Sequence, residues 1–181
     1  TARSRHPRSG PRVTLQAWPL QGIGEIAPGD DLAAIIVDHL DEALIDGDVI
    51  VVTSKVISKA AGLATTGDRE SLLEAQTDRV VARRGQTRIV RTYSGLTLAA
   101  AGIDASNVEV GTVIPLPPDP DASARGIRAR LRELTGLQLG VIVSDTVGRA
   151  WRIGQTDIAI GASGIATSLS FEGVEDSYGN V

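Results

Sequence analysis

Cysteine and methionine are absent from this 181-residue chain, phenylalanine occurs once, and tryptophan, tyrosine, histidine and lysine occur twice each. Without cysteine there are no disulfides, thiolate metal sites or cysteine nucleophiles, and no cue to redox compartment. Without methionine there is no initiator, which reads as a processed or trimmed product. His6 lies in an Arg-rich start and His39 on a predicted helix, so neither reads as a ligand or general base. No apolar run reaches the roughly 18 residues of a membrane helix, and no signal core follows the basic start. A cytoplasmic location is therefore expected. There is no Gly-x-x-x-x-Gly-Lys-Ser/Thr phosphate loop, and Gly22-x-Gly24 lacks the third glycine of a dinucleotide fingerprint. Ser163 in Gly161-Ala-Ser-Gly164 lacks the spacing of a hydrolase nucleophile.

The charge that is present is mostly acidic, 22 Asp and Glu against 18 Lys and Arg, for a net charge of −4. Arg3, Arg5, Arg8 and Arg12 fall in the first twelve residues, which have no acid, so the rest of the chain carries −8. That body disfavours general binding to nucleic acid or anionic membranes. Residues 1–12 are expected to be a disordered arm. With 42% hydrophobic residues, the remainder can bury a core as one domain or two small ones. The only lysines, Lys55 and Lys59, stand four apart just after the apolar Val49–Val52. Lysine meets phosphate oxygens as a compact point charge, whereas arginine offers a planar fork. Composition bias at a solvated helix start accounts for the pair equally well.

The pattern along the chain alternates helices and strands. Val13 to Leu20 reads as a strand and residues 21–29 as a glycine-punctuated loop. Asp30 or Asp31 caps a helix whose stripe is Leu32, Ile35, Ile36, His39, Leu40 and Leu44. Val49–Val52 reads as a buried strand with the lysines at its carboxyl end, where open α/β sheets gather ligands. Asp68 caps a second helix facing Leu72, Leu73, Gln76, Val80 and Val81 inward, closed by Arg83-Arg84-Gly85. Strands follow at Thr87–Arg91 and Thr97–Ala101. A proline-rich connection near residues 113–121 can join two lobes. Asp121 starts a helix carrying Ile127, Leu131 and Leu134, stopped by Gly136. Leu139–Ser144 is a second buried strand, and Ile158, Ile160, Ile165 and Leu169 suggest short strands in the tail.

Two polar clusters follow apolar stretches, Ala101-Gly-Ile-Asp-Ala-Ser-Asn107 and residues Ser144 to Asp157. Asp145 and Thr146 offer a carboxylate and a hydroxyl to a hard cation, and Asp104 is a second ligand if the fold joins the clusters. Mg²⁺ favours few carboxylates, together with water and substrate phosphate. Arg149 and Arg152, three apart, can meet a phosphate or carboxylate. Structural alternatives stand beside each reading: an Asx-type turn at Asp104–Asn107 and a cap at Asp145-Thr146.

Taken together, these clusters resemble one family, the coenzyme F-420-0:gamma-glutamyl ligases of deazaflavin biosynthesis. The matching text is Gly29-Asp-Asp-Leu32, Gly47 to Lys59, Ala101 to Asn107, Asp119-Pro-Asp121, Ser144-Asp-Thr-x-Gly-Arg149 and Ala159-Ile-Gly161. The segments run in the family's order over roughly Trp18 to Val181, most similar to the actinobacterial type. The resemblance implies an α/β fold with mixed sheets flanked by helices, residues 13–181 forming the ligase domain of an intertwined homodimer. It also implies a GTP-dependent ligase adding L-glutamate to coenzyme F-420-0 or its dehydro form through an acyl phosphate. Asp104, Asp145 and Thr146 match the family's positions for Mg²⁺ or Mn²⁺, and a monovalent cation such as K⁺ is a further candidate. Ile23, Gly24, Glu25, Ile26, Ser54, Lys55, Lys59 and Asn107 match its GTP contacts, with Lys59 and Asp145 the expected catalytic residues. Arg149 and Arg152 are expected on the acceptor.

The chain departs from the family at Ala61, where Ser-Lys-Ala is usually followed by an acid, and stops at Val181, where members continue. The expectation is a chain lacking the family's C-terminal part. The rival functions are a non-catalytic nucleotide- or deazaflavin-binding module and a metal-dependent phosphohydrolase.

Overall fold

In the computed structural model, residues 15–148 and 153–180 are described, and among them are four α-helices and three small sheets. In chain order the elements are α1 (Leu32–Asp38), β1 (Val49–Thr53), α2 (Ser54–Ala60), β2 (Thr65–Thr66), α3 (Arg69–Gln76) and β3 (Thr77–Arg84). Then come β4 (Thr87–Thr92), β5 (Thr97–Ala99), a 3₁₀ turn (Ala100–Gly102), β6 (Thr112–Val113), α4 (Pro120–Thr135), β7 (Gly140–Gly148) and β8 (Gln155–Ser163). The basic arm, Arg149 and Arg152 lie outside the described residues. No helix among the described residues is long and apolar enough to cross a membrane.

The principal sheet has the order β1-β7-β8, with β1 parallel to β7 and β8 antiparallel to it. Its inner face shares a core with α1, α2 and α4 that includes Ile36, Val52, Ile57, Leu131, Val141 and Val143. Only one face of the edge strand β1 is covered. Val52 is therefore buried while Val49 and Val51 are 47% and 61% exposed, which corrects the expectation of a strand buried on both sides. A second cluster, including Leu73, Val90, Ile103 and Val113, lies under the antiparallel sheet β3-β4-β5.

Caps set the helix starts. Asp31 accepts from Ala34 N at 3.1 Å, and Asp68 accepts from the Glu70 and Ser71 amides. α4 begins at Pro120 behind the Asp119 cap, one residue before the expected start at Asp121. It ends at Gly136, whose φ of +76° is the left-handed stop a glycine supplies without strain. Leu131 is fully buried there, but Leu134 turns outward.

Four further expectations need correction. Leu15–Leu20 is irregular rather than a strand. α1 stops at Asp38, short of Leu40 and Leu44, after the β-branched run Ile35-Ile36-Val37, with His39 Nδ1 donating to the Ile35 carbonyl at 2.8 Å. α3 stops at Gln76, where Thr77 Oγ1 donates to the Leu73 carbonyl at 2.6 Å. Val80 and Val81 then fall in β3, and Gly85, at φ +57°, makes a two-residue hairpin loop instead of a helix stop. In the tail, Ile158 and Ile160 lie in β8, whereas Ile165 and Leu169 sit in irregular chain.

Candidate functional site

Parallel pairing of β1 with β7 sets Thr53 against Ser144. The next residues, Ser54 and Asp145, emerge side by side, and the nearly buried Ser54 Oγ donates to Asp145 Oδ1 at 2.7 Å. Ser54 also opens α2, so the same helix presents Lys55 and, one turn later, Lys59. The register thus joins a carboxylate and both lysines at the carboxyl end of the sheet.

Asp104 arrives from the second cluster through a strained loop. Ala100, Ala101 and Gly102 have φ values of 49°, 54° and 71°, a left-handed stretch that costs energy at each alanine. A side chain at Gly102 would stand 2.6 Å from Leu116 and 2.7 Å from Leu98, so the loop lies tight on its neighbours. Asp104 then exchanges backbone bonds of 2.9 and 2.8 Å with Ile114. Its carboxylate accepts from Ser106 N at 2.8 Å, Ser106 Oγ at 3.0 Å and Lys55 Nζ at 2.5 Å. The local turn is present, and the carboxylate faces the same space as Asp145.

That space is a cavity of about 410 Å³ whose walls include Ser54, Lys55, Asp104, Ser106, Asp145 and Thr146. A more open groove of about 550 Å³ along α4, lined by Arg125, Arg128 and Arg132, contains none of the expected residues. Lys59 lies beside the cavity, ion-paired with Glu25 and donating to the Asn107 carbonyl at 3.2 Å. Glu25 belongs to the 21–29 loop, which is tied to the end of α2 by Gly29 N donating to the Ala60 carbonyl at 2.8 Å. Within that loop Ile23 and Gly24 are exposed and Ile26 joins the core. Asn107 is in the left-handed region at φ 55°, which asparagine tolerates.

The two aspartates are biased in opposite directions. Burial pushes Asp104 up, but hydrogen bonds from Lys55 and Ser106, together with the Lys55 charge, outweigh it and hold the carboxyl below its ordinary value. Burial pushes Asp145 up, and the bonds from Ser54 and the Thr146 amide only partly offset it. The negative charges of Asp104 and Asp157 add to the rise. Asp145 is thus a carboxylate that its surroundings disfavour in charged form unless a cation joins it.

Among the described residues no three His, Cys, Asp or Glu side chains form a complete cage for a metal. Two carboxylates and the Thr146 hydroxyl around an open cavity nevertheless fit Mg²⁺ or Mn²⁺, which keep waters and take further oxygens from phosphate. Sequence reasoning gave no role to Asp157, which accepts from Thr146 Oγ1 at 2.6 Å, or to Ser106, which accepts from Lys55 Nζ at 2.7 Å. The Asp-x-Ser spacing could have flagged Ser106. Asp157 becomes visible only through the β7–β8 register, which pairs it with Thr146.

Two ammonium groups beside two carboxylates and a hydroxyl suit one class of protein, an enzyme that handles a phosphorylated ligand carried with a cation. The comparisons with known proteins identify a family of ligases. A family model described as F420-0:Gamma-glutamyl ligase matches residues 22–181. The Coenzyme F420:L-glutamate ligase of Methanothermobacter thermautotrophicus is 38% identical over 184 residues, covering 88% of this chain and 73% of that protein. Those of Methanopyrus kandleri and Archaeoglobus fulgidus are 36% and 37% identical, covering 93% and 92% of this chain and 73% and 74% of their own. The chain belongs to the F420-0:gamma-glutamyl ligase family.

Proposed function

We propose that the chain is a coenzyme F-420-0:L-glutamate ligase that uses GTP with Mg²⁺ or Mn²⁺. The observation that carries this reading, beside family membership, is the meeting of Lys55, Asp104 and Asp145 around one cavity at the carboxyl end of β1 and β7. In the reaction, an oxygen of the acceptor carboxylate attacks the γ-phosphorus of GTP and the bond to GDP breaks, leaving an acyl phosphate. The amine of L-glutamate then attacks the acyl carbon and loses a proton. The bond to phosphate breaks, and amide, GDP and phosphate result.

The protein's part is positioning and charge. Lys55, bonded to Asp104 and Ser106 on the cavity wall, would meet the phosphate oxygens, and Asp104, Asp145 and Thr146 would hold the cation. That cation, when bound, supplies positive charge to the triphosphate and to the transferring phosphoryl group. Lys59, held by Glu25 and the Asn107 carbonyl off the cavity wall, is the second ammonium of the proposal and would turn to the same phosphates. Ile23, Gly24, Glu25 and Ile26 border the nucleotide, and Ser54 orients Asp145 from below. Arg149 and Arg152, immediately after β7 in the chain, grip the acceptor's phosphodiester or carboxylate. A homodimer acting in the cytoplasm, with residues 13–181 as the ligase domain, completes the proposal.

Incubation with acceptor, GTP, Mg²⁺ or Mn²⁺ and labelled glutamate tests it. Label in a deazaflavin product is expected. GDP released without acceptor would instead mark a phosphohydrolase, and binding without turnover a non-catalytic module.

A further inference from the structure

Asp157 stands directly across from Thr146 in the β7–β8 ladder and accepts its Oγ1 proton at 2.6 Å. The register that brings them together depends on an irregularity. Val143 pairs with Gly161, but Ser144 pairs with Ala159, so β8 contains an extra residue at Ile160. Such a bulge re-aims the side chains beyond it, and bulges gather beside active sites. Here the side chains beyond it are Asp145, Thr146, Asp157 and the cavity-lining Gln155.

A threonine hydroxyl has one proton and two lone pairs. With its proton free to rotate, it can point hydrogen at an approaching cation and must turn away first. A carboxylate acceptor holds that proton about twice as strongly as a neutral partner. The oxygen then presents only lone pairs to the cavity.

We propose that Asp157 is a positioning residue that captures the Thr146 hydroxyl proton and so presets Thr146 Oγ1 as a ligand for the divalent cation. This inference rests on the reading of Asp145 and Thr146 as cation ligands. The competing role is structural: an exposed cross-strand pair that only steadies the hairpin.

The test measures Mn²⁺ binding by the loss of free-ion EPR signal, with a non-hydrolysable GTP analogue present, alongside the melting temperature. Asp157→Ala should weaken Mn²⁺ binding about tenfold, at the low end of what losing an outer-shell partner costs. Asp157→Asn keeps an acceptor oxygen without the charge, so it should fall between wild type and alanine while preserving the shape of the hairpin. Adding Thr146→Val to Asp157→Ala should cost no more than Thr146→Val alone. Unchanged Mn²⁺ affinity in both Asp157 variants, or losses at 146 and 157 that multiply independently, overturns the inference and leaves the cation site standing. A wild-type protein that takes up no Mn²⁺ overturns the cation reading and this inference with it.

Discussion

Replacing Asp145 by asparagine should stabilise the fold while destroying cation binding. Asp145 Oδ1 accepts from Ser54 Oγ, and an asparagine oxygen keeps that bond in neutral form. Losing the charge assistance costs about 1 kcal/mol. Against this stands relief from burial and from two like charges, Asp104 and Asp157. Burial is the larger of these causes, because the nearer compensation of Asp104 by the Lys55 ammonium blunts its repulsion. Because the carboxyl is raised overall, the unfavourable side wins. The asparagine variant should therefore melt above the wild type at neutral pH.

The sign sets the pH window. The raised carboxyl means the native state holds its proton more tightly than the unfolded chain, so Asp145 lowers stability as pH rises from 3.8 through its folded value. The advantage of the asparagine variant should be complete above that window and vanish below pH 3.8, where both chains are neutral at this position. Thermal unfolding of both proteins at pH 7.5 and at pH 3.5, without added metal, reads the difference directly. A variant that melts several degrees below wild type at pH 7.5 would refute the reasoning and make Asp145 a structural partner of Ser54 that ties β7 to the start of α2.

Lys55→Met removes the ammonium held by Asp104 and Ser106, so Mn²⁺ uptake without nucleotide should strengthen while GTP binding weakens, both measurable by calorimetry. Lys59→Arg should impair GTP use far more than folding, seen as a raised KM for GTP with an unchanged melting curve. Leu131→Ala should cost about 2–5 kcal/mol in denaturant unfolding, because that side chain is fully buried between α4 and the principal sheet. Gly161→Ala should destabilise by about 1–3 kcal/mol, since the new methyl would sit 2.5 Å from the Pro120 carbonyl carbon at the start of α4.

Local signals in the sequence were readable where one residue decides the outcome. The Asp31 and Asp68 caps, the Gly136 stop and the apolar strands that become β1 and β7 all stand where sequence reasoning put them, within the bounds noted. Pairing was not readable. Val80 and Val81 fit a helical stripe and a strand equally well, and only the Gly85 hairpin with β4 settles which they join. The candidate site divides the same way. Lys55, Asp104 and Asp145 stood out by residue type and place, each beside an open structural reading, whereas Asp157 depends on a register shift that no local pattern encodes. Exposure of Val49 and Val51 depends on β1 lying at a sheet edge, a property of the whole arrangement.

The most direct measurement is ³¹P electron–nuclear double resonance on Mn²⁺ bound to the protein with a non-hydrolysable GTP analogue. The account predicts phosphorus coupling in the wild type, lost in Asp145→Asn and reduced in Lys55→Met. Bound nucleotide with no phosphorus coupling to bound Mn²⁺ would separate the lysines from the aspartates and contradict the account.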